Sequence, residues 1–193
     1  MSRRASAKKV KVVRMTADRV DDFFKLHSID YGCGWCFCVA WWTPSWQGWG
    51  ERTAEENFEF RMELFNRGEY DGYLAYIDGE PIGWCQVGRR GRLQKLMDQF
   101  ELTEEPEAPE IWSITCFLVS PDWRRKKVAT SMLTQVLKDL KKRGVEQVEA
   151  YPKRGDDLDD LDLWNGAETM FLEAGFEVIR EDDQRPILRK SLR

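Results

Sequence analysis

The sequence predicts an α/β (α+β) fold, a mixed, twisted sheet of about seven strands flanked by about four helices. Three observations lead there. Short apolar runs alternate with stretches whose apolar residues recur every three or four positions. Two strand-like runs, 70–77 and 82–87, are joined by Asp78-Gly79-Glu80-Pro81, a hairpin connection with a glycine to take up positive φ. Finally, residues 111–133, IWSITCFLVSPDWRRKKVATSML, pass from an apolar strand through a Pro-Asp turn into an amphipathic helix. A strand at 145–151 follows, so the usual crossover makes the two strands parallel.

The length of 193 residues suits one domain that buries its own core. Residues 1–9 read as a basic, flexible tail and 10–193 as that single domain. The net charge of −4 does not favour nucleic acid, and no nucleic-acid partner is expected. The N-terminus lacks the apolar run of a signal peptide and no segment approaches a bilayer span. The cytoplasm is the expected location, without a membrane partner. Five cysteines, an odd number, argue for reduced thiols rather than a disulfide framework.

In chain order, residues 11–15 read as a short strand, and Thr16 as the N-cap of a helix over 17–26 with Phe23 and Phe24 inward. Residues 30–50 hold three of the five cysteines and five of the nine tryptophans without clear periodicity, a packed loop with a short strand around 37–41. Thr53 caps a helix to about residue 67, on which Phe58, Met62 and Phe65 keep helical spacing, and Gly68 ends it. Beyond the hairpin, residues 89–110 are a polar excursion, either a surface flap or a functional lid.

In the helix after the Pro-Asp turn, Val128, Met132, Leu133, Val136, Leu137 and Leu140 make one apolar face. Lys138, Lys141, Lys142 and Arg143 crowd its C-terminal end, where the dipole favours cations, and Gly144 stops it. After the strand at 145–151 comes an acidic loop at 156–162, solvated or attractive to a cationic substrate. A helix over 164–174 carries Ala167, Met170, Phe171 and Ala174 at core spacing, with Gly175 as its C-cap. Strands at 176–179 and 187–192 close the chain.

The clearest chemistry lies at Arg124, Arg125, Lys126 and Lys127, at a helix start whose N–H groups lack intrahelical partners and whose dipole adds positive potential. A phosphate-bearing ligand is the guest such a site selects.

From Val119 to Leu133 the sequence resembles the acetyl-CoA loop of the GNAT superfamily of N-acetyltransferases, with its pattern R/Q-x-x-G-x-G/A. Arg124 matches the first position and Ala129 the last; Lys127 stands at the middle glycine, and Arg125 where many members carry another. AETMFLEAGFEVIR resembles the family's late helix with its Gly-Phe pair. CGWCFCVAWW, EPIGWCQV, WSITCFLV and RPILRK resemble a bacterial subgroup with a Cys/Trp-rich N-terminal loop, so the likeness spans roughly residues 31–192. It implies the GNAT fold, a sheet splayed beside its fourth strand with the co-substrate acetyl-CoA in the cleft. Backbone groups of Phe117, Leu118 and Val119 would hold the pantetheine arm like an added strand. Arg124, Arg125, Lys126, Lys127, Val128, Ala129 and Thr130 would cradle the pyrophosphate with N–H groups and cations. A left-handed Lys127 carries a strain of roughly 1–2 kcal/mol. The loop is thus a degenerate CoA loop, with weakened or altered binding rather than none.

The resemblance implies an acyltransferase that moves an acetyl group from acetyl-CoA directly to a primary amine of a small molecule or protein. Many members use a Tyr on the late helix to protonate the leaving thiolate; here that position is Phe171, and the Asn near the start of that helix is displaced by one, at Asn165. Glu149 and Tyr151, on the strand expected to face the cleft, are the candidates for base and acid. The plainer reading makes them a half-solvated strand residue and a core-edge aromatic. A nucleophilic Cys116 is set aside in favour of strand packing.

Cys33, Cys36 and Cys38 form a C-x-x-C-x-C cluster of a kind that binds zinc, with His27 or Cys85 as a fourth ligand. No second C-x-x-C pair exists and aromatics surround the cluster, so packing is preferred and no metal is expected. The neighbouring tryptophans are core, or, because this region borders the acceptor cleft in GNAT folds, a wall of Trp41 and Trp42 with Trp46 and Trp49 that takes an apolar or cationic substrate. Two other function classes stay open. One is a non-catalytic acyl-CoA-binding or partner-binding module, for which Lys127 and Phe171 mark lost chemistry. The other is a zinc or redox protein using Cys33, Cys36 and Cys38. Dimers are common in the family, and a homodimer is compatible with the resemblance.

Overall fold

A computed structural model describes residues 9–29, 34–103 and 109–193. Apart from Lys9, the expected N-terminal tail lies outside the described residues, as does Cys33. The strands are β1 (Lys11–Arg14), β2 (Tyr73–Ile77), β3 (Glu80–Arg89), β4 (Ile111–Val119), β5 (Gln147–Ala150), β6 (Glu177–Arg180) and β7 (Ile187–Ser191). They form one seven-stranded sheet in the order β1-β2-β3-β4-β5-β7-β6. β4 and β5 pair parallel, and the other described pairs are antiparallel. The helices are α1 (Val20–His27), α2 (Ala54–Asn66), α3 (Gln94–Gln99), α4 (Val128–Lys142) and α5 (Glu168–Glu173).

Strand alternation divides the core between the two sheet faces. Ala75, Cys85 and Phe117 pack with the α4 residues Val128, Met132, Leu133, Val136, Leu137 and Leu140. Their chain neighbours Leu74, Trp84, Cys116 and Leu118 pack on the opposite face with Phe23 and Leu26 of α1 and Phe65 of α2. The expected apolar face of α4 is therefore buried in full. Two local signals also hold. Thr53 and Glu56 form a reciprocal capping box at the start of α2. Asp78 and Gly79, at φ 52° and 87°, make the turn between β2 and β3.

Four expectations are corrected. Residues 37–41 form no strand: 3-10 turns at Gly34–Cys36 and Ala40–Trp42 flank Phe37 and Cys38, whose φ values are 40° and 49°. The buried Arg61 guanidinium takes the Phe37 carbonyl (2.9 Å) and the Cys38 carbonyl, groups a strand would have given to a neighbour. The excursion at 89–110 begins not as a flap but as a docked element, because Leu93, Leu96 and Phe100 are buried against Trp41, Tyr151 and Ile187. The helix expected at 17–26 opens as a 3-10 turn, Ala17–Arg19. The late helix is split by Gly166 at φ 91° into a 3-10 turn, Asp162–Asn165, and α5.

Gly72 is required by close approach: a Cβ there would lie 2.0 Å from the Trp84 ring, which is fully buried. Gly72→Ala is expected to lower stability by roughly 1–3 kcal/mol in urea unfolding. Gly50→Ala, where a Cβ meets nothing within 4 Å, is expected to leave the midpoint within error.

Candidate functional site

β5 pairs with β4 only from Ile111 to Ile114, where Ile114 faces Ala150. On the other edge of β4 the register slips between Gln86 and Val87, so Thr115 is an extra residue, a bulge of the kind that re-aims a strand. The buried Asn165 then takes the place of the departed β5: its Nδ2 donates to the Thr115 carbonyl at 2.9 Å, while its Oδ1 accepts from Arg185 at 2.8 Å. Past this point β4 faces a cavity rather than a strand.

That cavity, of about 360 Å³, is lined by Phe117, Leu118 and Val119, then by Trp123, Arg124, Arg125, Lys127, Val128, Ala129 and Thr130. Asp160, Leu161, Leu163, Trp164, Gly166, Ala167 and Met170 close the far side. Of the residues expected to hold the co-substrate, Lys126 alone is not in the lining; its Nζ sits 5.0 Å over the Trp123 ring. Lys127 is left-handed (φ 60°, ψ 23°) at the N-cap of α4, a conformation that glycine adopts most readily, and Arg125 is left-handed too, at φ 57°. Asp160 pairs with both Arg124 (3.6 Å) and Arg125 (3.4 Å). An aspartate of the acidic loop thus stands where this loop's potential attracts an anion.

A second cavity, of about 290 Å³, shares Phe117, Leu118, Leu161 and Trp164 with the first. Its remaining wall is His27, Trp35, Cys36, Cys38, Ala40, Trp41, Trp46, Trp49, Gln86 and Cys116. Trp41 packs edge-on to Trp46 (5.3 Å) and stacks on Trp164 (5.7 Å), and Trp35 lies 5.1 Å from Trp49. α3 braces this wall from behind: Gln99 accepts from Trp46 Nε1 at 2.5 Å and Lys95 Nζ lies 3.6 Å from the Trp46 ring centre. Trp41 therefore sits where a substrate wall was expected. Trp42 does not line either cavity; its Nε1 donates to the Gln86 amide oxygen at 2.8 Å.

Glu149 and Tyr151 also lie off both cavities. The Glu149 carboxylate is fully buried between Arg90 (3.1 Å) and Arg189 (2.5 Å), and accepts from Tyr151 at 2.6 Å. Ser113 lies 2.9 Å from the Tyr151 hydroxyl, and burial, followed by the Glu149 charge, pushes that phenol well above its usual range. A carboxylate held by two guanidinium groups and a phenol bonded to it are a structural network, not a free base and acid facing the cleft. Phe171 is core as well, packed on Phe117 and Phe176.

Cys38 Sγ lies 3.0 Å from Cys116 Sγ. The hydrogen bond to Cys38, with burial, raises the Cys36 thiol well above its usual range, and burial does the same for Cys38. Both stay protonated at neutral pH, which does not suit a nucleophile. Among the described residues no group of three or more His, Cys, Asp and Glu is placed to hold a metal ion; Cys33 is outside them.

From the sequence, His27 reads only as a candidate zinc ligand. In the fold its Nδ1 meets the Phe23 carbonyl at 2.8 Å. A carbonyl only accepts, so Nδ1 carries the proton and Nε2 presents a lone pair. That Nε2 is buried without a partner, as is Trp41 Nε1. Burial, against the pull of the Phe23 carbonyl, takes the His27 pKa down to about 3. The only sequence signal was a lone histidine one helical turn after Phe23, just before an aromatic loop.

The model of the acetyltransferase (GNAT) family matches residues 35–160. The fold resembles PaiA N-acetyltransferase from Thermoplasma acidophilum in complex with coenzyme A, at 13% identity and TM-score 0.50, over 95% of this chain and 99% of that one. It also resembles the ribosomal-protein-S18-alanine N-acetyltransferase of Escherichia coli, at 12% identity and TM-score 0.52, over 95% and 94% of the two chains. A chain of the NatC complex bound to Gag peptide and CoA aligns at 11% identity and TM-score 0.55, over 96% and 99%. No curated protein matches the sequence.

Two outcomes follow from the buried groups. Glu149→Gln removes the buried carboxylate that Arg90 and Arg189 share and is expected to cost roughly 3 kcal/mol of stability, read from the urea midpoint; an unchanged midpoint would contradict the structural role. His27 titrates at about 3 when folded and near 6.5 when unfolded, so below pH 6.5 only the unfolded chain takes the proton. Stability is therefore expected to fall by up to about 1.4 kcal/mol per pH unit between pH 6.5 and 4, with a shallower slope in His27→Phe.

Proposed function

Because the chain belongs to the acetyltransferase (GNAT) family, whose model matches residues 35–160, we propose that it moves the acetyl group of acetyl-CoA to a primary amine of a small molecule. The observation that carries this reading is the junction of the two cavities at Phe117, Leu118, Leu161 and Trp164. One cavity has the cations and helix start that suit a pyrophosphate, and the other is an aromatic chamber for an acceptor.

In this reading Arg124, Arg125 and Lys127 hold the pyrophosphate together with N–H groups of Val128, Ala129 and Thr130. The β4 backbone at Phe117, Leu118 and Val119 takes the pantetheine arm as a sheet takes an added strand, in the gap that Asn165 keeps open. Acetyl-CoA supplies an activated thioester. The amine attacks from the second cavity, the N–C bond forms as the C–S bond breaks, and a β4 backbone N–H offsets the charge on the carbonyl oxygen. The proton the amine loses equals the one the thiolate gains, so no net proton is consumed. With Glu149 and Tyr151 in the interior and Phe171 unable to donate, water is the carrier.

A specific observation favours a second reading: no tyrosine lines either cavity among the described residues. That is what a non-catalytic acyl-CoA-binding module would show. Thiol release from acetyl-CoA against an amine panel separates the two. Turnover with any amine supports the enzyme, whereas binding by calorimetry without turnover supports the module; no binding at millimolar acetyl-CoA overturns both.

Asp160 competes with pyrophosphate for Arg124 and Arg125. Asp160→Asn is therefore expected to tighten acetyl-CoA binding about threefold, and Arg124→Ala to weaken it about tenfold, by calorimetry.

A further inference from the structure

A third cavity takes no part in the acetyl-transfer reading. It is an open groove of about 570 Å³ where the loop after α1, the helix α3 and the β6–β7 connection meet, and it shares Trp41, Trp46 and Trp164 with the second cavity. Ser45, Lys95, Asp98 and Arg185 belong to its polar wall. Two of these are cations to which the fold gives no acid. Among the described residues, the Arg185 side chain bonds only to the neutral amide oxygen of Asn165, at 2.8 Å. Lys95 Nζ meets the Thr43 hydroxyl (2.6 Å), the Ser45 carbonyl (3.2 Å) and the rings of Trp46 and Trp49. Asp98, the acid in this wall, is exposed, accepts from Gln94 and pairs with neither cation. Other partly or fully buried arginines do have acids: Arg90 and Arg189 share Glu149, Arg143 pairs with Asp139 and Arg154 with Glu168. A half-buried guanidinium left unpaired at the wall of a groove is a place for an anion from outside.

We infer that this groove binds a small aromatic carboxylate, with its carboxylate on the Arg185 guanidinium and its ring against Trp46 and Trp164. A guanidinium carries five N–H donors in a fork that matches a carboxylate, and Asn165 takes a donor from Nη1 alone. Burial holds the Arg185 guanidinium below its usual range, against the charge of Asp162, which marks a cation only partly compensated. Lys95 acts by potential rather than by contact, since Thr43, Ser45 and the Trp46 ring already engage its ammonium. Burial, with the charge of Arg52, takes that ammonium down to about 8, so it stays largely charged at neutral pH. Trp46, 41% exposed, and the half-buried Trp164 offer the flat apolar surface for a ring. A carboxylate suits the groove better than a phosphate because a single cation is open to contact and Asp98 opposes a second negative charge. The site does not rest on the acetyl-transfer reading, although its occupant would touch tryptophans that also wall the second cavity.

The test is titration of tryptophan fluorescence, with calorimetry beside it, using phenylacetate, the neutral phenylacetamide and phenyl phosphate. Phenylacetate is expected to bind saturably and roughly five- to tenfold more tightly than phenylacetamide. Arg185→Gln, which retains a donor for Asn165, is expected to weaken phenylacetate about tenfold and to leave phenylacetamide within about twofold. Asp98→Asn, an exposed change away from that donor, is expected to tighten phenylacetate about twofold, a readout that survives if Arg185→Gln does not fold. Equal affinity for acid and amide, no saturable binding of phenylacetate at millimolar ligand, or a phenylacetate affinity that neither variant moves would each overturn the site. Tighter binding of phenyl phosphate than of phenylacetate would overturn the carboxylate assignment.

Discussion

The geometry of the site depends on one backbone event, the parting of β5 from β4 after Ile114. Parallel strands stay together unless their hydrogen-bonding groups find other partners, because an unmet buried carbonyl or amide costs as much as a lost bond. Here the extra residue at Thr115 breaks the register and Asn165 takes the Thr115 carbonyl. Gly166, at φ 91°, lets the chain turn straight from Asn165 into α5, whose Met170 reaches the cavity. The same few residues therefore open the gap, fill its first hydrogen bond and supply its far wall.

Around that opening, buried charge fixes backbone that has no regular structure of its own. Arg61, whose guanidinium burial pulls its pKa down to about 10, holds the left-handed Phe37–Cys38 pair by their carbonyls. Those two residues set the path of the loop that carries Trp35, Trp41, Trp46 and Trp49. Glu149 serves a similar end: its two arginines come from the segment after β3 and from β7, so one carboxylate ties three parts of the sheet together. Ions in such places are strongly destabilising to break even where an apolar triad would fold as well.

Most of the frame was legible in the sequence because it is written in periodicity. The α4 stripe from Val128 to Leu140, the capping box at Thr53 and Glu56, and the parallel strand after Gly144 need only local rules. The cation-rich helix start was legible for the same reason: charge and turn signals lie within a few neighbouring residues. What failed was non-local. Glu149 and Tyr151 look like cleft residues until Arg90 and Arg189, 59 and 40 positions away, turn the carboxylate inward. The run at 37–41 has strand composition, but a guanidinium on α2 claims its carbonyls. His27 gains meaning only from the aromatic loop folded over it, and the excursion after β3 becomes a brace only because Gln99 and Lys95 reach Trp46.

Lys127 and Phe171 stand where the resemblance expects a glycine and a tyrosine. Glycine in a phosphate loop gives positive φ and close approach, whereas Lys127 takes the same φ with a side chain, at a strain of roughly 1–2 kcal/mol. That strain is already present in the folded chain, so ligand binding need not induce it, and the side chain that causes it adds a cation beside Arg124 and Arg125. On the acetyl-transfer reading, the loop exchanges backbone contact for charge. On the chemical side, a tyrosine protonates a leaving thiolate, yet reaction also requires an amine that has shed its proton. On the acetyl-transfer reading, an aromatic chamber promotes the uncharged amine by desolvation. On the same reading, such a site places its advantage in selecting the uncharged nucleophile and aligning it with the β4 edge, and leaves the acid to water.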